Sequence, residues 1–126
     1  MNILIVDDEQ SYRRMLELYL QSMGFTIFTA IHGKDGMDRL RENKIDLIIS
    51  DVYMPVMDGL KFFKTVRSMS EFSSIPFLFV SGYDDDQTRE AVGAAKGTGF
   101  IKKTAAPSQM KEKVDQMLKK NKTHIL

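Results

Sequence analysis

The chain contains neither cysteine nor tryptophan. Without cysteine there is no disulfide, no thiolate metal site and no cysteine nucleophile, and a reducing compartment fits such a sequence. The two histidines, His32 and His124, are too few and too far apart for a histidine metal cluster. Long apolar runs are missing as well. Nothing approaches the roughly 20 consecutive apolar residues that span a bilayer. The N-terminus, Met-Asn-Ile-Leu-Ile-Val-Asp-Asp-Glu, has no basic segment, and its apolar run ends in acids. It is therefore not a signal peptide. Nor does one sign of charge dominate. A formal net charge of +1 gives no strong field toward nucleic acid or membrane. These absences read as a cytoplasmic protein with no direct nucleic-acid partner and no membrane partner.

What is present suits an ordinary globular fold. With 126 residues, 43% hydrophobic and 28% charged, the chain matches one domain and not a disordered segment. The expectation is a single domain over residues 1–126, with a core at about 2–119 and a short basic tail. From Pro107 onward five lysines face two acids, a local +3, which leaves −2 on the rest. That basic end reads as a solvated helix face.

Five apolar runs alternate with amphipathic stretches. Strands are expected at Ile3 to Val6, Phe25 to Ala30, Leu47 to Ile49, Phe77 to Val80 and Phe100 to Lys102. The second is the most polar and belongs toward a sheet edge. Helices are expected at Gln10 to Met23, Lys34 to Arg41, Leu60 to Met69, Gln87 to Ala95 and Pro107 to about Lys119. In the first, Tyr12, Leu16, Tyr19 and Met23 form the inner stripe, with Met15 and Leu20 beside it. The fourth offers only Ala91, Val92, Ala94 and Ala95 to bury, so it should be the least firmly anchored. Its cap would come from Asp84, Asp85 and Asp86. Gly36 weakens the second helix by about 1 kcal/mol.

Strands alternating with helices imply an α/β fold with right-handed crossovers. Five strands give a doubly wound, flavodoxin-like parallel sheet of order 2-1-3-4-5 with five helices. Ligands in such sheets bind at the carboxyl ends of the strands, where the order reverses. Polar residues stand at those ends. Asp7, Asp8 and Glu9 follow the first strand, Asp51 the third, Ser81 the fourth, and Lys102-Lys103 the fifth.

Each has an ordinary explanation alone: a helix cap, a turn residue, a surface lysine. Their convergence on one edge has a chemical one. Three clustered carboxylates repel each other unless a cation compensates. An oxygen-rich set suits Mg²⁺, which takes one or two carboxylates plus phosphate oxygens. A lysine and a serine hydroxyl opposite would serve an oxyanion. The set resembles a phosphoryl-transfer centre with Asp51 as the carboxylate nucleophile.

On these residues the chain resembles the receiver domain of bacterial two-component response regulators. The matching segments are Ile-Leu-Ile-Val-Asp7-Asp8, Ser50-Asp51-Val52-Tyr53-Met54-Pro55 with Met57-Asp58-Gly59, Val80-Ser81-Gly82, and Gly99-Phe100-Ile101-Lys102-Lys103. The resemblance covers nearly the whole chain. The 2-1-3-4-5 order is one this family itself exemplifies, so the resemblance does not test it separately.

The resemblance implies a phosphorylation-activated signalling switch and not an enzyme acting on a separate substrate. Asp51 would be the phosphoacceptor. Asp8, Asp51 and the backbone carbonyl of Tyr53 would bind Mg²⁺ or Mn²⁺ directly, and Asp7 through water. Lys103, not Lys102, matches the family's invariant lysine. Ser81 and the amide of Gly82 would contact the phosphoryl group. Phe100 would be the switch aromatic coupled to Ser81, with core filling as its plainer alternative. Tyr53 and Tyr83 would tune the phosphoryl lifetime by shielding it.

The implied partners are a sensor histidine kinase or phosphotransfer protein, and a protein target or fused output domain reached through helix 4, strand 5 and helix 5. A phosphorylation-dependent homodimer is a further implied state. One departure stands out. The family usually has proline after the lysine, often after a cis bond, and Thr104 stands here. This leaves open the isomer of the Lys103–Thr104 bond and puts the reach of Lys103 in question.

Three rivals are weaker. A Mg²⁺-dependent aspartyl phosphohydrolase needs a second acid two residues after its nucleophile, where this chain has Tyr53. A receiver that takes no phosphate and serves only as an interaction module would not need Asp51, Ser81 and Lys103. A dinucleotide-binding domain needs a glycine-rich turn after the first strand; Asp-Asp-Glu stands there.

Overall fold

Alternation along each strand sets the layers. In β1 (Asn2–Val6), Ile3 and Ile5 pack on one face of the sheet and Leu4 and Val6 on the other. All four are buried, so both faces must be covered. The computed structural model of the chain shows how, and it describes residues 1–82, 86–92 and 95–123. The remaining elements are α1 (Gln10–Ser22), β2 (Thr26–Ala30), α2 (Gly33–Glu42), β3 (Leu47–Asp51), α3 (Gly59–Ser68), β4 (Phe77–Ser81), α4 (Asp86–Val92), β5 (Thr98–Lys102) and α5 (Pro107–Thr123). The strands are all parallel, in the order β2-β1-β3-β4-β5. This is the expected doubly wound sheet, with the polar second strand at an edge.

The two cores differ in character. Under α2 and α3 lies an aromatic layer. Phe62 and Phe63 meet Phe77 edge-on at centroid distances of 5.5 and 5.2 Å, and Phe77 lies 4.7 Å from Phe79. Under α1 and α5 the layer is aliphatic: Ile3, Ile5, Leu16, Leu20, Leu78 and Val114, among others. Burying each such side chain contributes roughly 1.5–3 kcal/mol. Met110, Val114, Met117 and Leu118, which keep helical spacing in the sequence, form the buried stripe of α5.

Several local expectations change. Met15, placed beside the inner stripe of α1, is 44% exposed, while Leu16 and Leu20 are the buried pair. Met23 caps α1 instead of extending it, and Phe25 precedes β2. On α3, whose spacing points to Leu60, Phe63 and Val66 as the inner stripe, with Phe62 beside it, Phe62 and Val66 are fully buried and Leu60 is only partly covered. β5 begins earlier than expected because Gly99 pairs with Leu78, and the missing side chain makes room for Lys113 and Met117. α4 is shorter than the sequence suggests. Ala95, expected inside this helix, is not helical. Tyr83, Asp84, Asp85 and Ala94 lie outside the described residues.

The turn between β3 and α3 holds a strained residue. Val56 has φ of 68°, and the Met57 amide donates to the Pro55 carbonyl across it at 2.7 Å. This is a γ-turn of positive φ, rare for any residue and worst for a β-branched one. Val56 is 73% exposed, so its side chain gains little in return. Val56→Gly is expected to stabilise the fold by about 1 kcal/mol, since left-handed backbone costs a bulky residue 1–3 kcal/mol and glycine's extra unfolded entropy offsets part of that. Urea unfolding midpoints of the two proteins check it; a lower midpoint for the variant would contradict the strain.

Candidate functional site

The register brings four strand ends level. Val6 of β1 pairs with Ser50, so Asp7 stands beside Asp51. Asp51 pairs with Val80, and Ser81 pairs with Lys102. β4 and β5 stay tied past the strand itself, with the Lys103 amide donating to the Ser81 carbonyl at 2.9 Å. The residue after β5 is thereby aimed across the sheet edge.

The carboxylates are fixed from the backbone. Asp7 is fully buried, and its Oδ1 accepts from the Glu9 amide at 2.9 Å. Asp51 is 7% exposed, and its Oδ1 accepts from the Val52 amide at 2.8 Å. Asp8 is exposed. Oxygen atoms of Asp7, Asp8 and Asp51 lie within 4.8 Å of one another. The acids do not serve as a side-chain cap for α1: its N-cap is Glu9, which makes no such bond.

Lys103 balances this charge. Its Nζ lies 2.8 Å from Asp7 Oδ2, 3.2 Å from Asp51 Oδ2 and 3.3 Å from Glu9 Oε2. The Asp7 contact is close but poorly aligned as a hydrogen bond, so it acts as an ion pair. Lys102, one residue earlier, points to solvent. The Lys103–Thr104 bond is trans, and the lysine reaches the pocket without the proline that usually follows it.

The electrostatics follow from burial. The Asp51 carboxyl is pushed up to about 6, first by desolvation and then by repulsion from Asp7, with Lys103 opposing. Burial alone would lower the Lys103 ammonium. Its contacts with Asp7 and Asp51 outweigh that and hold it above the usual lysine range. The donors are all oxygens and their mutual repulsion is only partly compensated, which fits a hard divalent cation such as Mg²⁺ or Mn²⁺.

Ser81, Gly82 and Tyr53 lie at the same edge, and Phe100 lies two residues back from Lys102 along β5. Ser81 ends β4 and is nearly buried; Gly82 follows it at the surface. Tyr53 stands just beyond Asp51, 55% exposed. Phe100 is half-buried and stacks on Phe79 at 5.1 Å with 16° between the rings, while the Arg89 guanidinium of α4 lies 5.3 Å from the Phe100 ring centroid. It therefore continues the aromatic layer out toward α4.

Two further residues reach Lys103: Glu9, one of the acids expected at this edge, and Tyr12, which the sequence placed only in the α1 stripe. Glu9 is a third acid facing Lys103, and Tyr12 places its ring 4.8 Å from the Lys103 ammonium. Tyr12 carried a faint signal: it opens the α1 stripe one turn after the acids, close to the strand edge. Beneath the site, Gly59 starts α3 against the backbone of Asp51 and Val52, with its amide donating to the Val52 carbonyl at 2.8 Å.

Residues 3–115 match the family model described as the response regulator receiver domain. The chain is 33% identical over 120 residues to sensor kinase CckA of Brucella abortus (strain 2308), covering 94% of this chain and 12% of that protein. It is 30% identical over 129 residues to chemotaxis protein CheV3 of Helicobacter pylori, covering 94% and 41%. The chain thus spans only a part of both curated relatives. Among solved structures, chemotaxis protein CheY4 of Vibrio cholerae is 31% identical, superposes with a TM-score of 0.86, and is matched over 92% of this chain and 97% of that one.

Proposed function

The chain belongs to the response regulator receiver family, and from that premise we propose that it is a switch that accepts a phosphoryl group on Asp51. The donor is a histidine kinase or phosphotransfer protein. The observation that carries the reading is the Asp51 carboxylate itself: held by one backbone amide at a buried strand end, facing Lys103, and flanked by Asp7 and Asp8.

Asp8, Asp51 and the Tyr53 carbonyl would hold Mg²⁺ or Mn²⁺, with Asp7 acting through water; the bound cation supplies charge neutralisation at the transferred group. The rest is the work of this chain's side chains. An Asp51 oxygen attacks phosphorus, the bond from phosphorus to the donor's imidazole nitrogen breaks, and the imidazole keeps that electron pair. Asp51 ends as an acyl phosphate. Lys103 exchanges carboxylate contacts for a phosphoryl oxygen, and Ser81 and the Gly82 amide supply hydrogen bonds to the others. Tyr53 and Tyr83 shield the product from water.

Output runs through α4, β5 and α5. Phe100 links Phe79 in the core to Arg89 on α4, so a change of its rotamer would reach that face. A target protein, a fused output domain or a second copy of the chain would read it.

Acetyl phosphate with Mg²⁺, followed by intact mass, tests the reading. Wild type should gain a phosphoryl adduct and Asp51→Asn none; no adduct in either would favour a non-phosphorylated interaction module. Thermal melting tests the metal. Mg²⁺ at ten times its Kd should stabilise wild type by about 1.4 kcal/mol, a few degrees in Tm. Asp51→Asn should melt higher than wild type without metal, by about 1 kcal/mol, because it removes a charge disfavoured by burial and by Asp7. It should also lose most of the Mg²⁺ response, and an undiminished response would argue against Asp51 as a ligand.

A further inference from the structure

We propose that Tyr12 is a positioning residue for phosphoryl transfer, its ring face holding the Lys103 ammonium against the reacting edge. The inference rests on the phosphoacceptor reading of Asp51. Its ground is geometric. Lys103 Nζ sits 4.8 Å from the Tyr12 centroid, well inside the range of a cation–π contact. The Lys103 side chain is only 13% exposed, and carboxylates of Asp7, Asp51 and Glu9 occupy its other sides.

The backbone around Lys103 does not explain where its ammonium goes. The turn is closed by the Lys103 amide to Ser81 and the Ala105 amide to the Lys102 carbonyl, at 2.9 and 3.0 Å. Both bonds fix the chain, and neither restrains a flexible four-carbon stem. The carboxylate contacts do restrain it, but all of them are anionic. A cation and a phosphoryl group arriving at the site compete directly for those anions. The ring contact is neutral and survives that exchange. It also covers one side of the ammonium from water, which strengthens its attraction to a phosphoryl oxygen.

The tyrosine is suited to stay neutral. Its hydroxyl is pushed up to about 12 by burial, with Asp7, Asp51 and Glu9 adding to the shift and Lys103 opposing it. Tyr12 therefore presents the face of a neutral ring and not a phenolate that would seize the lysine. Its plainer role is packing, since it lies against the aliphatic layer with α1. The two roles separate experimentally.

Full-length Tyr12→Phe and Tyr12→Met are compared with wild type, the methionine keeping buried bulk without an aromatic face. Tyr12→Leu serves in its place should the methionine variant fail to fold. The rate of adduct formation from acetyl phosphate at saturating Mg²⁺ should fall about 3- to 10-fold in Tyr12→Met, the range expected of a partly desolvated cation–π contact. It should stay within about twofold of wild type in Tyr12→Phe. The Mg²⁺ concentration for half-maximal thermal shift should not move. In NMR spectra, ring-current shifts of the Lys103 side-chain protons should persist in Tyr12→Phe and vanish in Tyr12→Met.

A wild-type rate in Tyr12→Met overturns the proposal while leaving Asp51 as phosphoacceptor. An equal fall in Tyr12→Phe also overturns it, by assigning the effect to the hydroxyl. Absence of any adduct in wild type is the different failure, that of the phosphoacceptor reading, and the positioning role falls with it.

Discussion

Gly59→Ala is expected to destabilise the fold by about 3 kcal/mol, the upper end of ordinary overpacking, and to impair chemistry at Asp51 as well. A β-carbon on Gly59 would collide with the Asp51 carbonyl oxygen, and would lie 2.9 Å from Val52 Cα and 3.0 Å from Asp51 C. All three are backbone atoms, so no rotamer change relieves the clash. Either the start of α3 lifts away, breaking the Gly59 amide bond to Val52, or the end of β3 shifts and carries the Asp51 carboxylate with it. Urea midpoints should fall by about 1–2 M for a domain of this size. Adduct formation should slow by an order of magnitude or more, as misplacement by about 1 Å does at other reacting centres. Gly82→Ala is the control, since a β-carbon there meets nothing within 4 Å. Its stability should stay within about 0.5 kcal/mol of wild type. A Gly59→Ala protein with unchanged midpoint would refute the contact.

Lys103→Ala carries the second large effect, and its direction depends on metal. Removing Nζ takes the cation from Asp7, which is fully buried, and from Asp51. An uncompensated buried charge costs about 3–5 kcal/mol when fully enclosed. Here Asp8 and Glu9 open the pocket to solvent, so a loss of about 2–3 kcal/mol is expected in metal-free buffer. Mg²⁺ should then raise the melting temperature of the variant by more than it raises that of wild type, because the carboxylates no longer share their charge with an ammonium. The adduct should form about 10²–10³-fold more slowly even with metal, the usual loss on deleting one preorganised group that faces developing charge. Lys102→Ala, at an exposed position, should change stability by less than about 0.5 kcal/mol. An unaltered transfer rate in Lys103→Ala would remove the lysine from the mechanism.

Much of this was legible in the sequence because of where the apolar runs stop. Asp7, Asp51 and Ser81 stand at the ends of runs buried on both faces, Lys103 follows the half-buried edge strand β5, and the strand order alone brings such ends together. The α5 stripe was legible for the same reason, since Met110, Val114, Met117 and Leu118 keep helical spacing. Positions at the margin of a stripe were not. Met15 lies about 100° around α1 from Leu16, enough to turn it outward.

Glycines misled differently. Gly36 reads as a weakness in α2, yet a β-carbon there would press on the Phe62 ring at 2.8 Å and on Val6 at 3.2 Å, so its absence permits close packing of helix on sheet. Side-chain partners were the least legible of all. Strand order brings Glu9 and Lys103 to one edge, but nothing in the spacing of Tyr12 and Lys103 announces that they meet.

The link between Asp51 and Lys103 has a consequence for the chain as it is made. The two residues are 52 positions apart, and Glu9 and Lys103 are 94 apart. At 5–20 residues per second, a ribosome exposes Asp51 roughly 3–10 s before it delivers the lysine. Until β5 docks, the acids have no ammonium beside them and the pocket around Asp51 is incomplete. On the proposed reading, a nascent chain would therefore stay silent toward a phosphodonor, and competence would arrive with β5.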